Sequence, residues 1–297
     1  MKLASLGEDA VVAELTRGLP LGADVRHGAG DDCAVIGGAR DRIWQLLKTD
    51  CVVEGVHFSK GEKPERIGWK ALCRAVSDIA AMGGVPWHAL ITIALGPDVK
   101  MAWLRGIYAG LRKAARRFSV SIVGGETSRS PGPAFISVAL TGIVECARCV
   151  TRGGGRAGDL LYVTGRLGGS LAGGHLDFVP RVAEARWLTG NFRIHAMMDL
   201  SDGLAADLPR LAKASGCGCE ISEEKVPRNR GCTVAQALGD GEDFELLFAV
   251  RPADAVRLEA KWRAKFPRLP LTRIGVLTRS AVRAKRKPKH RGHDHFA

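Results

Sequence analysis

The sequence predicts a mixed α/β (α+β) protein of two domains, on three observations. Apolar runs of strand length alternate with stretches of helical periodicity in both halves of the chain. A glycine-rich break, Thr151-Arg-Gly-Gly-Gly-Arg-Ala-Gly158, falls between the halves. The 297 residues are 46% hydrophobic and 25% charged. That is ample apolar mass for real cores, and it excludes a disordered, collagen-like or coiled-coil chain. The expected domains are residues 1–150 and 151–297.

The elements follow in order. Residues 6–19 place Val11, Val12 and Leu15 on one helical face, with Glu8 and Asp9 early, where the helix dipole favours acid. Residues 43–47 (IWQLL) and 52–58 (VVEGVHF) read as two strands on either side of Thr49-Asp50. Residues 66–82 read as a helix that stops at Gly83-Gly84-Val85-Pro86. A buried strand at 89–95, a basic-faced helix at 101–117, a short strand at 120–123 and a strand at 135–144 complete the first half. The second half restarts with strand 159–164, a glycine loop and a helix from about 168. A helix at 203–214, strands near 218–221 and 244–250, a helix at 253–265 and a strand near 273–277 follow.

Charge and cysteine usage narrow the function classes. Lys plus Arg is 44 against 31 Asp plus Glu, a net +13, and the excess is concentrated in the tail Arg279–Arg291 (RSAVRAKRKPKHR). No aromatic residue and no zinc-finger spacing accompany that run. It reads as a solvated basic segment, and nucleic acid is not an expected partner. Cys146-Ala-Arg-Cys149 and Cys217-Gly-Cys219 have the residues for a four-thiolate zinc site, but nothing in the sequence brings the pairs together. Small buried thiols in a reducing cytosol are the better reading. The start, MKLASLGEDA, reaches an acidic pair before any signal-peptide apolar region. No run approaches ~18 consecutive apolar residues. The expectation is a soluble cytoplasmic protein with no membrane partner.

Two nucleotide motifs drop out. There is no Gly-x4-Gly-Lys-Ser/Thr string, and the G-x-G-x-x-G match at Gly153–Gly158 precedes a strand instead of linking strand to helix. What remains is a set of acidic clusters beside Gly, Ser or Thr, each near a predicted strand end. They are Gly30-Asp31-Asp32, Thr49-Asp50, Ser77-Asp78, Gly124-Gly125-Glu126-Thr127, Asp199-Leu-Ser201-Asp202-Gly203 and Asp240-Gly-Glu242-Asp243. Singly, each reads as an Asx-turn or helix cap. Jointly, loop carboxylates suit hard, oxygen-seeking cations, and small neighbours admit a phosphate chain. A metal–phosphate site is the reading that treats all six together. His57, at the end of a predicted strand, is open between a structural hydrogen bond and a site role.

These strings resemble the thiamine-monophosphate kinase family, of the PurM-like (aminoimidazole ribonucleotide synthetase-like) superfamily. GAGDDCAVI (28–36), TDCVVEGVHF (49–58), KALCRAVSDIAAMGGVP (70–86), IVGGETSR (122–129), TRGGGRAGDLLYVTG (151–165), HLDFVPRV (175–182), MDLSDGLAADL (198–208), GEDFELLF (241–248) and GHDHFA (292–297) occur in family order. The resemblance implies an N-terminal α/β domain that dimerises through its sheet, and a C-terminal α/β domain. It implies direct transfer of the γ-phosphoryl of ATP to thiamine monophosphate, giving thiamine diphosphate. Carried over by position, Asp32, Thr49, Asp50, Asp78, Asp199 and Asp202 would be Mg²⁺ ligands. Glu126 stands where the family usually has a metal-binding Asp. Gly125, Arg152 and Ser201 would contact ATP, and His57, Glu242 and His293 the thiamine substrate. The rival expectations are another ATP-using PurM-like enzyme with a different acceptor, and a non-catalytic nucleotide- or thiamine-phosphate-binding protein.

Several positions depart from the family pattern. Lys48 replaces the small hydroxyl residue that usually precedes Thr-Asp. An ammonium cannot ligate a metal, so it either replaces one cation or weakens the site. Ala75 replaces a common Asn, Asp240 adds a charge, and His293 offers less stacking area than a larger aromatic. The segment leading to His175 is shorter than usual.

Overall fold

A computed structural model describes residues 3–279. The first half builds α1 (Glu8–Thr16), β1 (Val25–His27), β2 (Ala34–Ile36), β3 (Ile43–Val53), α2 (Pro64–Ala81), β4 (Val85–Leu95), α3 (Met101–Phe118), β5 (Ser121–Arg129) and β6 (Phe135–Glu145). The second builds β7 (Leu160–Thr164), α4 (Val182–Asn191), β8 (Ile194–Asp199), α5 (Leu204–Ala214), β9 (Gly218–Ile221), α6 (Val234–Gly239), β10 (Leu246–Val250), α7 (Ala255–Lys265) and β11 (Leu271–Thr278). The strands form one sheet per half. The six-stranded sheet runs β1-β2-β3-β6-β4-β5 and is antiparallel except for the parallel β4–β5 pair. The five-stranded sheet, β8-β10-β7-β11-β9, is antiparallel throughout.

Alternation decides which face of the first sheet is covered. On β6, Ile136, Val138 and Leu140 are buried against α2, while the opposite face carries the exposed Leu47, Leu90 and Val123 of neighbouring strands. Helix α2 is buried along most of its length because the first sheet, α3, α4 and β8 all pack around it. Gly68 lets α3 approach: a Cβ there would lie 2.8 Å from the Ile107 carbonyl carbon. In the second sheet β10 (LLFAV) is wholly buried. Leu204, Leu208 and Leu211 of α5 cover one face, and Leu188, Leu258 and Trp262 cover the other.

The structure corrects several expectations. Residues 43–53 form one strand, because β3 pairs with β6 without a break from Ile43↔Glu145 to Val53↔Phe135. The polar Lys48 and Asp50 do not interrupt it. The predicted strand beyond Val53 is instead a turn with Gly55 at φ 83°. No α-helix begins near 168. Gly169 and Gly173 take left-handed conformations and leave two 3-10 turns, Ser170–Ala172 and Gly174–Leu176. Strand β5 continues to Arg129 through Gly124-Gly125. β1, β2, α4, β8 and α6 are elements the sequence reading lacks. Of the eight cysteines, none in a disulfide, only Cys33 and Cys73 are buried and the other six are half-buried.

Candidate active site

Helix α2, strand β3 and the end of β8 point their polar residues into a cleft of about 630 Å³ lined by Lys48, Asp50, Asp78, Arg152, Asp199 and Asp202 among others. At its floor stand Asp32 from the turn before β2, Asp78 from α2 and Asp199 at the end of β8. One oxygen from each lies within 4.8 Å of the others, the sole such convergence of three or more His, Cys, Asp or Glu groups among the described residues. The four cysteines at 146, 149, 217 and 219 therefore do not make a thiolate site.

All three carboxylates are buried, with Asp32 1% and Asp199 2% exposed. Asp32 Oδ2 is buried without a hydrogen-bond partner, a costly state for a carboxylate oxygen. Burial and the neighbouring Asp32 charge push the Asp199 carboxyl up to about 7. Burial, then Asp32, does the same to Asp31, also to about 7. An all-oxygen, carboxylate-rich donor set of this kind suits a hard divalent cation such as Mg²⁺.

Cations of the protein line the same carboxylates. Lys48 Nζ lies 2.9 Å from Asp78 Oδ1. Arg152 donates to Asp32 Oδ1 at 2.6 Å, and its backbone N–H donates to the Asp31 carboxylate at 3.1 and 3.2 Å. Arg74 donates to both Asp50 oxygens at 3.2 Å and to Glu242 Oε1 at 3.0 Å. Ser77 Oγ donates to Asp199 Oδ2 at 2.5 Å. Asp202 is paired with Arg210.

A second charged knot adjoins the cleft. The fully buried Lys70 donates to Glu242 Oε2 at 2.7 Å and to the His57 carbonyl at 2.6 Å. His175 Nδ1 is 3.0 Å from the same Glu242 oxygen. Burial opposes the Glu242 charge, but His175, Lys70 and Arg74 outweigh it and hold the carboxyl at about 2. Burial lowers Lys70 to about 8. Glu242 and Phe244 both adopt left-handed backbone, φ 52° and 51°, an unfavourable state for non-glycine residues. The Glu242 and Phe244 N–H groups pin it by donating to the Ser201 and Leu200 carbonyls at 2.7 and 2.9 Å.

Comparison with known proteins places this chain in a family. Models of the AIR synthase related protein N-terminal and C-terminal domains match residues 30–144 and 156–285. The thiamine-monophosphate kinase of Rhodopirellula baltica is 38% identical over 278 residues, covering 88% of this chain and 85% of that protein. This chain belongs to the thiamine-monophosphate kinase family. The kinase of Aquifex aeolicus is 34% identical over 303 residues, covering 93% of this chain and 92% of its own. The solved structure of AaThiL complexed with AMPPCP and TMP matches with a TM-score of 0.84 at 31% identity, covering 100% of this chain and 99% of that one.

The positions that the thiamine-monophosphate kinase resemblance singles out fall into three groups. Asp32, Asp50, Asp78, Arg152, Asp199, Ser201 and Asp202 lie in or at the cleft, with Glu242 in the adjoining knot; His57 joins the knot through its carbonyl, while its ring Nδ1 accepts from the Val53 N–H at 3.1 Å. Thr49, Gly125 and Glu126 do not join them. Thr49 is exposed on β3 with its hydroxyl 3.4 Å from Ser137, and Gly125 and Glu126 are exposed on the edge strand β5. His293 lies outside the described residues, as does the basic tail beyond Arg279. The sequence reading misses Lys70, Arg74, Arg210 and Phe244. Lys70, Arg74, Ser77 and Asp78 fall at i, i+4, i+7 and i+8 on α2, one helical face. That spacing is the signal that could have found the two basic residues of α2.

Proposed function

We propose that this chain transfers the γ-phosphoryl group of ATP to thiamine monophosphate, giving thiamine diphosphate and ADP, in a Mg²⁺-dependent, in-line reaction. The observation that carries the reading is the buried Asp32–Asp78–Asp199 cluster with its unpartnered Asp32 oxygen, in a chain of this family. The solved relative complexed with AMPPCP and TMP supports the two substrates.

Asp32, Asp78 and Asp199, with Asp50 and Asp202 beside them, would hold the divalent cations. Thr49 and Glu126 would join them only through movement of β3 and β5 or from another copy of the chain. Bound Mg²⁺ would offset the mutual repulsion of two phosphate chains. The remaining work falls to the chain's own groups. Arg152 would fix the nucleotide phosphates with a guanidinium already oriented by Asp32, and Ser201 would line the nucleotide; Gly125, on the same exposed strand as Glu126, would reach it only in the way Thr49 and Glu126 would. Glu242, His57 and His293 would face the thiamine moiety, with Lys70 and Arg74 holding the Glu242 carboxylate in place. No side-chain nucleophile is required, because an acceptor phosphate oxygen is already ionised near neutral pH.

We further propose a homodimer through the exposed face of the six-stranded sheet, where Leu47, Leu90 and Val123 stand open beside Thr49 and Ala139. A cytoplasmic setting is part of the same proposal, in keeping with the thiamine-monophosphate kinases this chain resembles. No described helix is long and apolar enough to cross a membrane.

The test is a discontinuous assay of purified protein with thiamine monophosphate, ATP and Mg²⁺, with thiamine diphosphate separated by chromatography. The expected result is product that requires all three. Mg²⁺-dependent ATP binding without product would point to another acceptor or to a binding protein.

A further inference from the structure

Strand β3 carries Lys48 and Asp50 two residues apart, so both project to the cleft side of the sheet. Lys48 Nζ is 2.9 Å from Oδ1 of Asp78, which with Asp32 and Asp199 makes up the three converging carboxylates. Other charges facing this group are already engaged: Asp50 by Arg74, Arg152 by Asp32, Asp31 by the Arg152 N–H and Asp207 by Arg210. A divalent ion on Asp78 would sit about 2.1 Å from its oxygen. The ammonium occupies the space beside Asp78 Oδ1 that such an ion would need, and like charges this close repel in a site shielded from water.

We propose that the Lys48 ammonium is a built-in cation: it fills one position of the carboxylate cluster, so that the cleft takes up one divalent ion fewer per chain than it would with a small residue at 48. A lysine is monovalent, cannot exchange and offers no open coordination position. It neutralises Asp78 and holds that side chain in place, but it cannot bridge two phosphates as a metal can. Lys48 is thus a positioning residue that sets how many metal ions the site holds. This inference rests on the reading of the cleft as a divalent-cation site.

The test counts Mn²⁺ by electron paramagnetic resonance on the full chain with saturating AMPPCP, comparing native protein with Lys48→Ser. The expected result is one additional Mn²⁺ per chain in the variant. A purely structural lysine would alter the melting temperature and leave the count unchanged. Lys48→Ala gives the same comparison if the serine variant does not fold. Equal, non-zero counts in native and variant overturn the inference while the metal reading stands. No Mn²⁺ in either overturns both. An equal count with weakened AMPPCP binding assigns Lys48 to the nucleotide instead, and also overturns it.

Discussion

Lys70 and Glu242, 172 positions apart in sequence, are joined by a 2.7 Å ion pair that ties α2 in the first half of the chain to the loop before β10 in the second. The same carboxylate takes Arg74 and His175, and the same ammonium takes the His57 carbonyl. The two walls of the cleft are therefore braced by a shared charge network and by more than apolar contact.

Lys70→Met should cost about 3 kcal/mol of stability, the low end for breaking a buried pair, because Arg74 and His175 still face Glu242. Urea unfolding would measure it. A loss below about 1 kcal/mol would mean that the remaining partners neutralise Glu242 unaided.

Gly125→Ala should destabilise β5. A Cβ at Gly125 would lie 2.6 Å from the Ile91 carbonyl carbon and 2.8 Å from its nitrogen, so the parallel β4–β5 pair would have to part. The expected cost is about 1–3 kcal/mol, typical of overpacking. Gly132→Ala serves as control, since a Cβ added there would meet nothing within 4 Å. Thermal melts of both variants decide the matter: equal melting temperatures would show that the sheet edge yields freely.

How much of the fold and site is legible in the sequence depends on the range of the interactions involved. Helix α2 is legible almost to its ends because a local pattern sets it: Pro64 opens it, and Gly83-Gly84 closes it. Sequence alone splits strand β3, because Lys48-Thr49-Asp50 looks like a breaker, whereas the unbroken ladder with β6 overrides local preference. The acidic cluster is visible as small-residue/acid strings, and Asp32, Asp78 and Asp199 do converge. Which basic residue pairs with which acid is not visible. Arg74 reaches Asp50 across 24 residues and Arg152 reaches Asp32 across 120, pairings that only the tertiary fold creates.

The seam between the halves also carries an acid-sensitive contact. Arg186 of α4 donates to both Glu145 oxygens, at 2.6 and 2.8 Å, and to the Gly83 carbonyl at 2.8 Å. The Arg186 hydrogen bonds lower the Glu145 carboxyl to about 2 from its ordinary 4.5. A folded-state pKa below the unfolded one stabilises above pH 4.5, and that contribution is lost as pH falls from 4.5 through 2. Glu145 is half exposed, so solvent keeps the effect small. Native protein should accordingly be more stable than Glu145→Gln near neutral pH and converge with it as the solution approaches the folded-state value. Denaturation midpoints at about pH 7, 4 and 3, spanning that window, test this, and a constant gap would assign the contact no titrating role.

Asp199→Asn separates function from stability. The asparagine keeps the size of the side chain and can still accept from Ser77 Oγ, the contact now made at 2.5 Å. What it removes is one of three buried carboxylates, each with an oxygen within 4.8 Å of the others. With no cation bound, losing a like charge from that group relieves repulsion, so the melting temperature of the metal-free protein should hold or rise. With ATP, Mg²⁺ and thiamine monophosphate present, turnover should fall ~10²-fold or more, the usual scale for losing a charge that stabilises a transition state. A drop in both quantities would make Asp199 a structural residue of the β8 end, and unchanged turnover would remove it from the reaction. Only the opposed pair, equal or higher stability with lost turnover, fits a carboxylate kept buried beside its neighbours for the sake of the cation they share.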